Sequence, residues 1–425
     1  MHNEIGNNCI LTHLHTSAEP IGTVRSCCIA REHIKHSDGT TYSIHNDTID
    51  DILNSNYMKN LRQQLRNGEK PSNCSTCWED ESKGKESKRQ IYNNIFLNWE
   101  QMKVDWDSEP KNLVDLQMSI GNVCNLKCRT CAPSHSSKWV KEIKDRETEN
   151  WSKENWQAYV GNNKESFALD SSNSKVWQDI DNWSQTVRRL EIMGGEPFYT
   201  KAFKKLTNKL IANGTSNHIK MNLSTNGTMF DQKFIDLLLD NFENLGINLS
   251  IDGTGKHFDY IRHGNDWKNV ESNLVKFHKM LEEQESTKAL IRLGISVTIT
   301  ISPLNFYYLR DIHQYFEDNY PLFRIWNNPV YYPQHYRISN IPNDIKTKYL
   351  DRIINPTNYG LSNWSSEKYN DILSIINHAK VDCNNEQWNN FILETNRADA
   401  YRKENFKETF PELYKVVHSN WKEII

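Results

Sequence analysis

The chain predicts an α/β fold built on a parallel sheet, and three observations carry that expectation. From Val114 onward, short apolar runs alternate with longer amphipathic segments, which is the pattern of βα units. The amphipathic segments keep apolar residues at i, i+3, i+4 and i+7, as covers for the outside of a sheet require. Turns rich in Gly, Asn, Cys and acidic residues follow the runs, where the loops of parallel folds open.

A length of 425 residues allows one large domain with appendages, or two domains. Hydrophobic residues make up 37% and the mean hydropathy is -0.76, so no window approaches the ~20 apolar residues of a membrane span. The segment Met1 to Thr16 has neither a basic head nor an apolar stretch, which predicts a cytoplasmic protein without a secretory signal. Net charge is -3 with both signs interspersed, so neither nucleic acid nor a membrane is an expected partner. The run Lys83 to Arg89 reads as solvated surface. Nine cysteines in such a chain point to metal ligation more than to disulfides, because cytosolic thiols are kept reduced.

At the N-terminus, Cys9 opens the alternating stretch Ile10 to His15, and Gly22 to Ser26 reads as a turn and second strand ending at Cys27-Cys28. This predicts a hairpin with cysteines at its open end. Ile49 to Arg66 has helical periodicity through Ile52, Leu53, Met58, Leu61 and Leu65, and Gly68 and Pro71 stop it. Cys74 and Cys77 follow at once. A helix that returns a C-x2-C pair to a cysteine-bearing hairpin makes a four-thiolate pocket from Cys9, Cys28, Cys74 and Cys77. Neighbours in an extended strand face opposite sides, so one of Cys27 and Cys28 points inward, and Cys28 is the expected ligand. An iron–sulfur cluster and a structural zinc ion both suit such a set.

Strands are expected at Val114–Ile120, Val187–Met193, His218–Ser224, Gly246–Ile251, Ile291–Thr300 and Leu322–Trp326, with helices at Lys201–Asn213, Asp231–Asn241 and Val270–Glu283. Between the first two strands, Pro133 to Gln185 carries Trp139, Trp151, Trp156, Trp177 and Trp183 around a polar middle, Asn162 to Ser174. That is longer than a crossover needs, and it serves either as a cap over the site or as an insertion packed by its own tryptophans. Beyond a turn-rich link, helices are expected at Asn343–Ile354, Ser366–Ala379, Cys383–Ala400 and Asn405–Val417. His335, Tyr336 and Arg337 stand in that link as pocket candidates, with a packed linker as the default reading. Cys383 reads as a free structural thiol.

The first strand leads into Cys124-Asn125-Leu126-Lys127-Cys128-Arg129-Thr130-Cys131, a C-x3-C-x2-C loop. Thiols this close in sequence pair with one another only under strain, whereas a short loop wraps them round a soft metal centre. Three thiolates leave one iron of a cubane cluster open for another ligand; a zinc knuckle is the rival reading. Gly194-Gly195-Glu196-Pro197 follows the second strand, where the glycines let backbone approach a ligand and Glu196 offers a carboxylate to a cation. Thr225-Asn226-Gly227 follows the third, and Ser250-Ile251-Asp252-Gly253 ends the fourth.

These motifs together resemble the radical S-adenosylmethionine (radical SAM) enzymes, over about residues 112 to 330. The chain is similar in detail to the branch with SPASM or twitch extensions, which hold auxiliary iron–sulfur clusters. Their usual place is after the core, but only Cys383 follows it here, so the resemblance places the module in front, on Cys9 to Cys77. It implies a partial (β/α)6 TIM-like barrel over 111–330, a cysteine-rich module over 1–110 and a helical extension over 331–425. It further implies that Cys124, Cys128 and Cys131 hold a [4Fe–4S] cluster whose open iron takes the amino and carboxylate groups of S-adenosylmethionine. Glu196, within Gly194–Pro197, would bind the methionine ammonium; Ser224, Asn226, Ser250 and Asp252 would approach ribose or carboxylate, and Arg262 is a further candidate for the carboxylate. Thr130 stands where the family often has an aromatic residue, so adenine stacking has to come from elsewhere. The implied activity is hydrogen abstraction by a 5′-deoxyadenosyl radical from a peptide or protein side chain, with a flavodoxin- or ferredoxin-type reductant. A small-molecule oxidoreductase acting on a sugar or nucleoside, or a non-catalytic electron carrier, are the alternatives. Tyr199, Phe198 and Tyr260 lie near the loops, where packing is the default reading.

Overall fold

A computed structural model of the chain describes residues 5–82, 84–98, 105–110, 112–146, 174–287 and 292–421. Trp151, Trp156, all but the last residue of the polar stretch Asn162 to Ser174, and Ile291 lie outside them. The architecture is α/β with an open sheet of eight strands in the order β2-β1-β3-β4-β5-β6-β7-β8. The strands are β1 (His15–Ala18), β2 (Val24–Arg25), β3 (Asp115–Ser119), β4 (Arg189–Met193), β5 (Lys220–Thr225), β6 (Asn244–Ser250), β7 (Leu293–Ile301) and β8 (Arg324–Pro329). The last six fall where the apolar runs predict them. Among the described residues no helix is long and apolar enough to cross a membrane.

The chain divides into two compact units, one of residues 1–123, 164–224 and 231–246, the other of 124–163, 225–230 and 247–425. In the first, β1 pairs antiparallel with β2 and parallel with β3, His15 opposite Asp115; β3 pairs parallel with β4, and β4 with β5. The N-terminal hairpin therefore extends the sheet. Its register is pinned by a trio around the buried Asp115: His15 Nδ1 lies 2.7 Å from Asp115 Oδ2, and the half-buried Arg189 donates from Nη1 to Asp115 Oδ1 at 2.9 Å. Burial pushes the Asp115 carboxyl up, but Arg189 and His15 outweigh it and hold it at about 2. Ile10 to His15 is not the expected strand. Leu11–Leu14 is a helical turn, because Ile10, Leu11 and Thr12 are all buried, and because Thr12 and Leu14 donate back to the carbonyls of Cys9 and Ile10. The long helix expected over Ile49 to Arg66 is two, Ile49–Leu53 and Asn56–Arg66, since Ser55 accepts from the Met58 N–H and caps a fresh start.

In the second unit, β7 pairs parallel with β8, Ser296 opposite Arg324. The helix Trp267–Thr287 buries Val270, Leu274, Phe277 and Leu281, one stripe of a 3.6-residue period. The C-terminal helices are Asn343–Ile354, Ser366–Ala379, Asn385–Arg402, Phe406–Thr409 and Pro411–Trp421. The last two replace the single helix expected over Asn405–Val417, and the division falls at Pro411, which has no N–H to continue the ladder.

Candidate functional site

The cysteine loop lies in the second unit. Its backbone is fixed by hydrogen bonds from Lys127 N–H to the His263 carbonyl (2.9 Å), from Arg129 N–H to the Ile261 carbonyl (2.8 Å), and from Cys131 N–H to the Cys128 carbonyl (3.0 Å). Gly264 makes the close approach possible: its φ is +123°, and a Cβ there would stand 2.9 Å from the Asn125 carbonyl oxygen. Asn226 Nδ2 donates to Asn125 Oδ1 at 2.9 Å and lies 3.9 Å from Cys124 Sγ. Arg262 Nη1 lies 3.9 Å from Cys128 Sγ, and its Nη2 is 2.9 Å from Asp252 Oδ2. Asp252 is itself held, its Oδ1 accepting from the Thr300 N–H at 2.7 Å. The structure thus puts Asn226, Asp252 and Arg262 together with the thiols, Asp252 acting on them through Arg262. Ser250 ends β6.

Burial pushes the Cys128 thiol up, and the Arg262 guanidinium opposes it. Burial also pushes Cys131 up, with the neighbouring Cys128 and Cys124 adding to the rise.

In the first unit, the Gly194–Pro197 turn is pressed onto the segment that ends at Val123. A Cβ at Gly194 (φ +84°) would lie 2.7 Å from Ser119 Cβ, and one at Gly195 (φ +57°) 2.3 Å from the Val123 carbonyl oxygen. Both positions therefore require glycine. Glu196 N–H donates to that carbonyl at 2.9 Å, and the buried carboxylate accepts from the Phe198 N–H at 3.1 Å, which fixes its rotamer. Pro197 opens the short turn Pro197–Tyr199, and Ser224 lies in β5. Phe198 packs against Phe203 and Phe234, whereas Tyr199 is exposed.

Also in the first unit, Cys9, Cys27, Cys74 and Cys77 line one cavity together with Lys88 and Arg89. Cys28, the residue preferred from sequence, is exposed, its Sγ 3.0 Å from Lys88 Nζ. The pair lies in the turn beyond β2 rather than in an extended strand, and Cys27 is the member that lines the cavity. Burial lifts Cys9 well above its ordinary value, with Cys74, Cys77 and Cys27 adding to the rise, and lifts Cys27 and Cys74 to about 12. A capping box between Ser87 and Gln90 starts the helix Lys88–Leu97, so its first residues meet the cavity. Arg89 is buried, held by Glu81 at 3.0 Å and by the carbonyls of Gly6 and Asn8. The run Lys83 to Arg89 is therefore not all solvated surface; the Ser-x-x-Gln spacing was the available signal.

Among the described residues no three Cys, His, Asp or Glu side chains converge tightly enough for a single metal ion. The fit of both thiol sets to a cluster rests on their donor chemistry, all sulfur and flanked by cations that offset the charge of thiolates.

Residues 118–301 match the radical SAM superfamily, and residues 9–78 match SPASM, an iron–sulfur cluster-binding domain. The first implies a [4Fe–4S] cluster with S-adenosylmethionine, the second an auxiliary iron–sulfur cluster. No curated protein matches the chain. Similar solved structures include anSMEcpe with bound AdoMet, at 19% identity over 64% of this chain and 63% of that one, with a TM-score of 0.33. The same protein with AdoMet and the Kp18Cys peptide gives 19% over 65% of each, with a TM-score of 0.34. Streptococcus suis SuiB bound to S-adenosylmethionine gives 12% over 71% of this chain and 62% of that one, with a TM-score of 0.32. The chain spans less than two thirds of the length of these structures.

Proposed function

We propose that this chain, in which a SPASM-type iron–sulfur domain precedes a radical SAM domain, is an enzyme that acts on a peptide or protein side chain by hydrogen abstraction. The observation that carries the reading is the thiol loop, three cysteines within eight residues inside the radical SAM match, with Arg262 against Cys128 and Asn226 against Cys124. When bound, the cluster and S-adenosylmethionine would supply reductive cleavage of the sulfonium to a 5′-deoxyadenosyl radical. Cys124, Cys128 and Cys131 would hold three irons of the cluster. Glu196, its carboxylate oriented by the Phe198 N–H, would bind the methionine ammonium together with the Gly194–Gly195 backbone. Arg262 would receive the carboxylate, its direction fixed by Asp252, while Ser224, Asn226, Ser250 and Asp252 would approach ribose or carboxylate. Cys9, Cys27, Cys74 and Cys77, which line one cavity, would hold an auxiliary cluster, and that cluster would supply electron exchange. A flavodoxin- or ferredoxin-type protein is the reductant. The peptide substrate is favoured because the SPASM and twitch branch is rich in peptide maturases, an argument by family analogy. The organisation we propose is an iron–sulfur module over 1–110, the radical SAM core over 111–330 and a helical extension over 331–425.

The test is anaerobic reconstitution with dithionite and S-adenosylmethionine. Formation of 5′-deoxyadenosine above the blank of a chain with the three loop cysteines replaced is expected, and its absence overturns the reading. Deuterium passing into 5′-deoxyadenosine from labelled peptide supports the substrate class; transfer from a sugar or nucleoside alone replaces it.

A further inference from the structure

We infer that Arg129, Asp399 and Glu404 are positioning residues for the cluster loop, so that the end of the C-terminal helix Asn385–Arg402 is a working part of the cluster site. The inference rests on the assignment of Cys124, Cys128 and Cys131 as cluster ligands. Arg129 stands between the second and third cysteines, and its side chain is wholly buried. A guanidinium removed from water needs compensation on every donor. Its Nη2 lies 2.5 Å from both Asp399 Oδ1 and Glu404 Oε2, its Nε donates to the Tyr260 carbonyl at 3.2 Å, and its plane lies 3.6 Å over the Tyr260 ring. The Tyr260 hydroxyl donates to Asp399 Oδ1 at 2.7 Å, and His263 Nδ1 lies 2.5 Å from Glu404 Oε1. Lys403, at φ +56°, ends the helix in a left-handed turn that brings the Glu404 N–H back to the Asp399 carbonyl.

A second tie reaches the same helix from the other side of Cys128. Lys127 Nζ lies 2.6 Å from Glu142 Oε2, which accepts from Arg402 Nε at 2.9 Å. The Arg402 guanidinium lies 4.8 Å from the Trp139 ring, whose Nε1–H donates to the Cys128 carbonyl at 3.0 Å. Both neighbours of Cys128 are thus anchored to one helix end, well past residue 301 where the radical SAM match stops. Partners of this kind orient ligands and set the charge they feel, and removing one costs on the order of ten- to hundred-fold in metal affinity or activity.

The charge arrangement makes the test directional. In E404Q or D399N, the Arg129 cation loses part of its compensation beside the cluster, so the midpoint potential should rise. In R129M two carboxylates are left there, and the potential should fall. Potentials are read by EPR-monitored titration of the full-length, anaerobically reconstituted chain, with circular dichroism and retained N-terminal iron as the check on folding. Glu404→Asp should restore the wild-type potential. Shifts of one sign in all variants, or none, overturn the inference. Where single variants fail to fold, the triple R129M/D399N/E404Q is used. It should lose most of the EPR change produced by S-adenosylmethionine, and full retention of that change overturns the inference. A wild-type chain that holds the cluster but makes no 5′-deoxyadenosine would sink the proposed function and leave these potentials readable.

Discussion

Cys124, Cys128 and Cys131 come from one short loop, whereas Cys9, Cys27, Cys74 and Cys77 are gathered from separated segments into one cavity. The loop offers three thiols, with an amide and one guanidinium beside them. The cavity offers four, with Lys88 and Arg89 in its wall. Three donors leave an iron free to bind a reactant; four close the cluster and leave it to exchange electrons. Spacing in sequence sets the first arrangement, and tertiary structure sets the second.

The largest test of that contrast is replacement of all three loop cysteines by Ala. Production of 5′-deoxyadenosine should fall to the reagent background while iron at the N-terminal set persists, as elemental analysis would show. Loss of both metals together would mean the sites are not independent. Next in size is the choice within the cysteine pair. Cys27→Ala should cost the N-terminal iron, and Cys28→Ala should leave it in place; the reverse pattern would return the ligand set to the one preferred from sequence. Arg262→Gln should lower the rate of S-adenosylmethionine cleavage roughly ten- to hundred-fold with the iron content kept, and a change in iron content alone would make Arg262 a structural partner of Cys128.

The smallest effect concerns the hairpin that carries Cys27. Because Asp115 titrates near 2 in the fold and near 3.8 when unfolded, its ion pairs add stability that is fully present above pH 4 and is lost as the pH falls through 2. At neutral pH, Asp115→Asn should therefore cost about 2 kcal/mol in urea unfolding. It should also flatten the acid limb between pH 4 and pH 2. An unchanged urea midpoint would remove this trio as the pin of β1 on β3.

The six strands from β3 to β8 were legible because each is an apolar or alternating run closed by a turn. The loop cysteines stand out in the sequence as candidate ligands because their spacing is local. Ile10 to His15 misled, since its alternation of residue types is not matched by alternation of burial: Ile10, Leu11 and Thr12 are all covered. That Cys27, rather than Cys28, lines the cavity with Cys9 depends on how the chain turns after β2, which no local pattern reports. Arg129 lay hidden for the opposite reason. A lone Arg in a polar loop reads as surface, and its carboxylate partners lie some 270 residues away in sequence.

Mössbauer spectroscopy of the anaerobically isolated chain, before and after adding S-adenosylmethionine, tests the central contrast most directly. The account predicts two four-iron clusters, about eight irons per chain, with one iron of one cluster changing its signal on S-adenosylmethionine and the other cluster unmoved. A single cluster with zinc making up the rest, or two clusters that both ignore S-adenosylmethionine, would contradict it.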